Sequence, residues 1–302
     1  MKLTSYQHRG EASVGIVLDT HIVDVRAVEP DAPATMRQFL SWFAEQPGSD
    51  ALEAGAARRV AAGDSVPIAN VRLLPVVPDP HAVWCAALTY LSHVREGGSR
   101  PVPDYPLFFL RVANSQVGHS EDLILPKVSK ELDYEGELAV VIGRAGRHIP
   151  VGRAAEHIAG YACYNEGSVR DWQRHTSQIT AGKNFAGSGS FGPWLVTADE
   201  FGDPYQHVLT TRVNGQIRQQ ASISELLFKI EYMVHYLSTI CPLEVGDVIV
   251  TGTPGGVGLR RDPPTFLEPG DVVEVEVDGI GTLRNTVAAE PELGAEVGAA
   301  LG

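Results

Sequence analysis

The sequence predicts an α+β fold dominated by β-structure, with a small β-rich N-terminal domain ahead of a larger β-rich one. Short apolar runs punctuated by Gly and Pro recur through most of the chain, as in "GPWLVT", "DVIVTGTP" and "GDVVEVEVDGIGTL". Few stretches carry the apolar spacing of an amphipathic helix. The segment "LLPVVPDP", Leu73 to Pro80, holds three prolines in eight residues and marks a junction.

The elements follow in order. In residues 1–72, "ASVGIVLD" and "HIVDVRAV" read as strands, followed by a helical "TMRQFLSWFAE" and an Ala-rich stretch. Residues 73–80 form the linker and 81–290 the larger domain. The tail, 291–302, is small, acidic and glycine-containing, and is expected to be poorly ordered. Within the larger domain "SISELLFKIEYMVHYLSTI" reads as one long helix. Ser222 would cap it, Glu225 would complete a capping box, and Leu226, Ile230, Met233 and Leu237 would form its apolar stripe.

Composition bounds the function. A chain of 302 residues with 44% hydrophobic residues can bury a sizeable core. Its apolar runs, such as "HAVWCAAL", are too short to cross a bilayer. The start "MKLTSYQHRG" lacks the apolar core of a signal peptide, so a cytoplasmic location is expected. Cys85, Cys163 and Cys241 are far apart and form no CxxC pair, which fits reduced core thiols rather than a zinc site. A net charge of −13 with no Lys/Arg stripe argues against nucleic-acid binding.

The stretch "KELDYEGELAVVIG" concentrates the chemistry. Read as a strand, it places Asp133, Glu135 and Glu137 on one face, where like charges destabilise a sheet unless neutralised. A hard divalent cation on carboxylate oxygens would do so, and a solvated, aggregation-resistant edge is the alternative. Glu166, in the polar "NEGS" after an apolar segment, is a candidate third carboxylate. In "LTYLSHVREGG", His93 and Glu96 stand at i, i+3, so one helical turn sets a carboxylate beside an imidazole, as a general base requires. His-x-x-Glu is also common on surface helices. Gly97 and Gly98 could hinge a closing segment. Lys183 sits in the apolar, glycine-rich "ITAGKNFAG", where it could neutralise a carboxylate or an enolate oxygen or be a snorkelling structural lysine. "VTGTPGGVG" offers Thr251, Thr253 and free amides to a carboxylate or phosphate, but neither a Walker loop nor GxGxxG. Among the remaining histidines His175 stands out, in "RDWQRHTSQ".

In this order the stretches resemble the fumarylacetoacetate hydrolase superfamily, over roughly Val83 to Val287. "ALTYLSHVRE" is similar to that family's Gly-Leu-Asn-Tyr-x-x-His-x-x-Glu, and "LDYEGELAVVIG" to its metal strand. "GYACYNEGSVRDWQ" is similar to its Gly-Tyr-x-x-x-Asn-Asp-x-Ser-x-Arg-Asp-x-Gln, and "GKNF", "GPWLVT", "VNGQIRQ" and "GDVIVTGTPGGVG" follow. The resemblance implies a mixed β-roll behind a small N-terminal domain, usually as a homodimer. It implies Mg²⁺ or Mn²⁺ on Glu135, Glu137 and Glu166, with Asp133 as a supporting or surface residue. It implies His93 and Glu96 as the base dyad and Lys183 as the group that stabilises or protonates an enolate. Thr253 and Gly252, with Tyr90, Arg111, Arg170 and Gln219, would contact a small carboxylate-bearing substrate or its supporting shell. The sequence departs from the pattern at Ala87, Thr89, Arg111 and Glu166. Arg111 replaces a usual lysine with a planar fork suited to a bidentate carboxylate grip.

The implied activity is metal-dependent hydrolysis of a C–C bond in a small 1,3-dicarbonyl acid, an acylpyruvate or fumarylacetoacetate-like compound. Decarboxylation or keto–enol isomerisation of oxaloacetate-like or 2-hydroxyhepta-2,4-diene-1,7-dioate-like acids of aromatic catabolism uses the same chemistry, as does dehydration of 2-keto-3-deoxy sugar acids. A non-catalytic Ca²⁺-binding module is the reading from another class.

Overall fold

The computed structural model describes residues 1–46, 48–98 and 101–292, so most of the tail lies outside the described residues. The run "GELAVVI" fixes the architecture. Every residue of the strand Gly136–Ile142 is buried, as a strand covered on both faces requires. Leu138, Val140 and Ile142 face one apolar cluster, with Met233 and Leu237 of the helix Ile230–Ile240 and Val275 of a second sheet. Ala139 and Val141 face another, with Phe39 and Leu40 of the helix Met36–Phe43. Each fully buried Leu, Ile or Val side chain here contributes about 1.5–3 kcal/mol.

The main sheet has twelve strands. Along its path Lys2–His8 pairs with Gly189–Thr197, then come Ile158–Asn165, Gly136–Ile142, Val248–Val250, Val83–Ala87 and Leu107–Arg111. Lys2 pairs with Val196 and Leu3 with Leu195, so the N-terminal strands extend the same sheet that carries the site. Val248–Val250 runs parallel to Val83–Ala87, while most other pairs are antiparallel. A five-stranded sheet, ordered Gln216–Ser222, Val208–Val213, Val272–Val277, Gly281–Ala289 and Asp122–Leu125, packs on one face. The fold is α+β and mainly β.

Three expectations change in detail. "HIVDVRAV" is extended only over His21–Asp24; Asp24 then caps a helical turn, Val25–Val28, by accepting from the Arg26 amide. The capping box of Ser222 and Glu225 is present, but it closes a single 3₁₀ turn, Ile223–Glu225, and the helix proper begins at Ile230. Tertiary pairing overrides the helical pattern between them: the Leu227 amide donates to the Thr89 carbonyl at 2.7 Å, and Leu226 bridges to Tyr90. The acidic stretch is not one strand. Leu132–Asp133 pairs with Ser168–Val169, and the chain then breaks before Gly136–Ile142 joins the main sheet.

Candidate metal and active site

The break brings the carboxylates together. The Glu135 amide donates to Asn165 Oδ1 at 3.0 Å, and the Glu166 amide donates to the Glu135 carbonyl at 2.8 Å. Gly136 leaves room for Thr211, since a Cβ there would lie 1.9 Å from Thr211 Oγ1 and would have to displace that side chain. Its amide donates to Gln219 Oε1 at 2.9 Å, and its carbonyl accepts from Thr253 Oγ1 at 2.9 Å. Glu135, Glu137 and Glu166 therefore each present a carboxylate oxygen within 4.8 Å of the others, all buried.

Burial and cations decide the charges. Burial alone would raise Glu135, but Arg170 and Lys183 outweigh it and hold this carboxyl far below the ordinary range. Glu137 is pushed well above it, by burial and by the neighbouring Glu166 and Glu135. Glu166 is raised by burial, despite Lys183. Lys183 is raised despite burial, because Glu135 and Glu166 surround its ammonium, with Nζ at 2.6 Å and 2.7 Å from their oxygens. Arg170 contacts Glu135 Oε1 at 2.6 Å and Asp133 Oδ2 at 2.8 Å.

The donor set fits a divalent cation. Counted as carboxylates, Asp133, Glu135, Glu137 and Glu166 outnumber the two bases in ion-pair contact with the group, Arg170 and Lys183, and burial together with that excess holds Glu137 and Glu166 above the ordinary range. Glu166 Oε1 is buried without a hydrogen-bond partner. All-oxygen coordination is what hard cations take, and an unmatched buried carboxylate is costly without one. The solvated-edge alternative fails, since Asp133, Glu135 and Glu137 are 0%, 4% and 1% exposed. Asp133 is a buried support: its carboxylate accepts from Arg170 Nε and from the amides of Tyr134, Gly258 and Leu259.

A cavity of about 590 Å³ opens over the triad. His93, Lys183, Arg170 and Thr253 line it with the three glutamates, as do Phe108, Phe109, Gln173, Arg174 and Arg260. His93 projects from the short helix Leu91–Glu96, with Nδ1 at 2.7 Å from Glu96 Oε1. Glu96 also accepts from the Gly256 amide at 2.7 Å, and Ser92 Oγ accepts from the Gly255 amide at 3.1 Å. These bonds dock the helix on the Gly-rich loop. That loop's amides hold protein groups: the Gly252 amide donates to Glu137, and the positive φ of Gly252, +96°, leaves no room for a Cβ against Thr89 Oγ1.

Four expected substrate contacts do not line the cavity. Tyr90 is 1% exposed and bridges Leu226. The Arg111 fork is occupied by Ser115, the Gly167 carbonyl and Ser188. Gln219 bonds the Gly136 amide, Thr253 and the Pro254 carbonyl. Gly252 serves Glu137. All four support the cavity wall instead. His175 lies outside the lining and packs on Trp172. Sequence reasoning missed Gln173 and Arg174, which follow Arg170 in "RDWQR", and Arg260, which has no distinguishing local pattern. Cys85 and Cys163 are buried thiols, Cys163 pushed up by burial to about 12. Among the described residues no helix is long and apolar enough to cross a membrane.

This β-roll with a buried carboxylate triad at the foot of its cavity matches the family model described as fumarylacetoacetate (FAA) hydrolase C-terminal over residues 82–288, and the chain belongs to that family. It is 36% identical over 293 residues to a protein of Xenopus laevis named mitochondrial oxaloacetate tautomerase fahd2, covering 95% of this chain and 90% of the relative. A fumarylacetoacetate hydrolase from psychrophilic Exiguobacterium antarcticum superposes with a TM-score of 0.81 at 33% identity, over 96% of this chain and all of that one. Maleylpyruvate hydrolase from Sphingobium sp. SYK-6, solved in complex with manganese(II) ion and pyruvate, superposes with a TM-score of 0.75 at 25% identity, over 96% of this chain and all of that one.

Proposed function

We propose that the protein catalyses divalent-metal-dependent enolisation of a small 2-oxo acid, with keto–enol tautomerisation of an oxaloacetate-like compound as the reaction. The carrying observation is that His93, paired with Glu96, lines the same cavity as the glutamate triad. Glu135, Glu137 and Glu166 would hold Mg²⁺ or Mn²⁺, which supplies Lewis-acid polarisation of the substrate's oxygens. Glu96 accepts from Nδ1–H of His93, which leaves Nε2 unprotonated to take or return the proton at the carbon next to the carbonyl. The Lys183 ammonium, held charged by its neighbours, opposes the negative charge that grows on the enolate oxygen. Phe108 and Phe109 give the cavity one apolar wall.

Tautomerisation takes precedence over the C–C bond hydrolysis that the sequence first suggested, because the named tautomerase shares 36% identity along nearly the whole chain. Hydrolysis is the second reading, supported by the Sphingobium hydrolase and by a dyad able to activate water. Mass analysis of products formed from oxaloacetate and from an acylpyruvate in ¹⁸O-water separates them. Faster enol–keto interconversion with the carbon skeleton intact supports the tautomerase. Rapid ¹⁸O entry into a new carboxylate would move the assignment to hydrolase, and no effect on either acid would overturn both.

A further inference from the structure

The two ends of the cavity differ in chemistry. The inner end is the triad with Arg170 and Lys183, whose cationic groups already contact carboxylates. Arg174 and Arg260 line the cavity where it meets solvent, both being exposed. Arg174 is paired, with Nη2 at 2.7 Å from Glu131 Oε2. Arg260 is exposed and, among the described residues, makes no side-chain hydrogen bond or ion pair. Its backbone is nevertheless fixed relative to the inner site. Arg260 ends the 3₁₀ turn Gly258–Arg260, and the amides of Gly258 and Leu259 donate at 2.8 Å and 2.9 Å to the same Asp133 carboxylate that grips Arg170. Gly258 cannot take a side chain, since a Cβ would lie 2.0 Å from the Thr265 carbonyl oxygen. An unpaired guanidinium carried on this fixed turn and lining the cavity, in a chain of net charge −13, offers free donors to an anion there.

Given the 2-oxo acid reading, on which this inference rests, we propose that Arg260 binds the distal carboxylate of the substrate and selects 2-oxo dicarboxylates over their monocarboxylate analogues. The 2-oxo acid end occupies the inner site while the second carboxylate meets Arg260 at the mouth. The fork suits a carboxylate in a way that an ammonium does not.

The test is calorimetric binding to Mn²⁺-loaded full-length protein of 2-oxoglutarate and 2-oxopentanoate, which differ only in carboxylate against methyl at the far carbon. Wild type should favour 2-oxoglutarate by about tenfold, the scale of one partly exposed charge-assisted contact. Arg260→Ala should collapse that ratio toward one by weakening the diacid alone, and Arg260→Lys should keep part of it. Oxalate, which carries no further carboxylate beyond the end that would occupy the inner site, should bind wild type and Arg260→Ala alike. Wild-type binding of both acids with no preference, or equal weakening of diacid, monoacid and oxalate in Arg260→Ala, would overturn the assignment while leaving the proposed function intact. Failure of wild type to bind any of the three would overturn the 2-oxo acid reading and the Arg260 role with it.

Discussion

Replacing Asp133 by Asn changes one atom at the hub of the site. In the wild type, Oδ1 accepts from the Tyr134 and Gly258 amides, and Oδ2 accepts from the Leu259 amide and Arg170 Nε. Asparagine's oxygen can keep the first pair. Its amide nitrogen then faces two donors, so the half-buried Leu259 N–H and one face of a buried guanidinium lose their acceptor. An unsatisfied buried amide costs about 1–3 kcal/mol, and breaking a buried ion pair about 3–5 kcal/mol. Arg170 retains Glu135, so the lower ends apply and the expected loss is about 4 kcal/mol. That is a large fraction of an ordinary folding free energy of about 5–15 kcal/mol. At about 2 °C per kcal/mol for a chain of this length, Asp133→Asn should lower Tm by about 8 °C. Thermal unfolding by circular dichroism, supported by urea titration, measures it. A fall below about 2 °C would refute the placement of Asp133 as a buried hub.

Other expectations concern the chemistry and the field. His93→Ala should lower turnover of an oxaloacetate-like acid by about 10²–10⁴-fold while Mn²⁺ affinity stays within error, because His93 lines the cavity but is not among the triad. Lys183→Met should tighten Mn²⁺ binding by at least about tenfold while slowing turnover, since the ammonium now neutralises the carboxylates that would bind the ion. Looser binding in that variant would contradict the charge balance. Burial, with Arg284 nearby, lowers His119, whose Nδ1 accepts from the Arg284 amide at 3.1 Å. A histidine with a depressed folded pKa binds its proton more readily in the unfolded chain, so stability should fall as pH drops below the ordinary value of 6.5 and level off beneath the folded pKa. His119→Asn should flatten that slope; an unchanged slope would sink the assignment.

Much of the site was legible because its residues sit in patterns that local physics explains. Glu135 and Glu137 flank a glycine packed closely against Thr211, and His93 and Glu96 meet across one helical turn. What stayed hidden depended on contacts distant in sequence. The capping box at Ser222 pointed to a helix, yet the pairing of Leu226 and Leu227 with Thr89 and Tyr90 delays the helix to Ile230. Arg111, an arginine where the family resemblance implies lysine, invited a substrate role, but Ser115, Gly167 and Ser188 take up its donors inside the wall. Three acids two residues apart looked like one strand face, whereas Asp133 belongs to a separate pairing with Ser168 and answers to Arg170. Strand alternation cannot reveal a break that Asn165, Gln219 and Thr253 impose from outside the strand.

The central claim is that the buried glutamates form a divalent-cation site. Titration of chelator-stripped protein with Mn²⁺, followed by the loss of the free-ion paramagnetic resonance signal, tests it most directly when wild type and Glu137→Gln are compared. The account predicts one ion bound per wild-type chain and binding weakened by at least about tenfold in the variant, because a carboxylate is replaced by a neutral amide. No binding by wild type, or equal binding by both proteins, would contradict it.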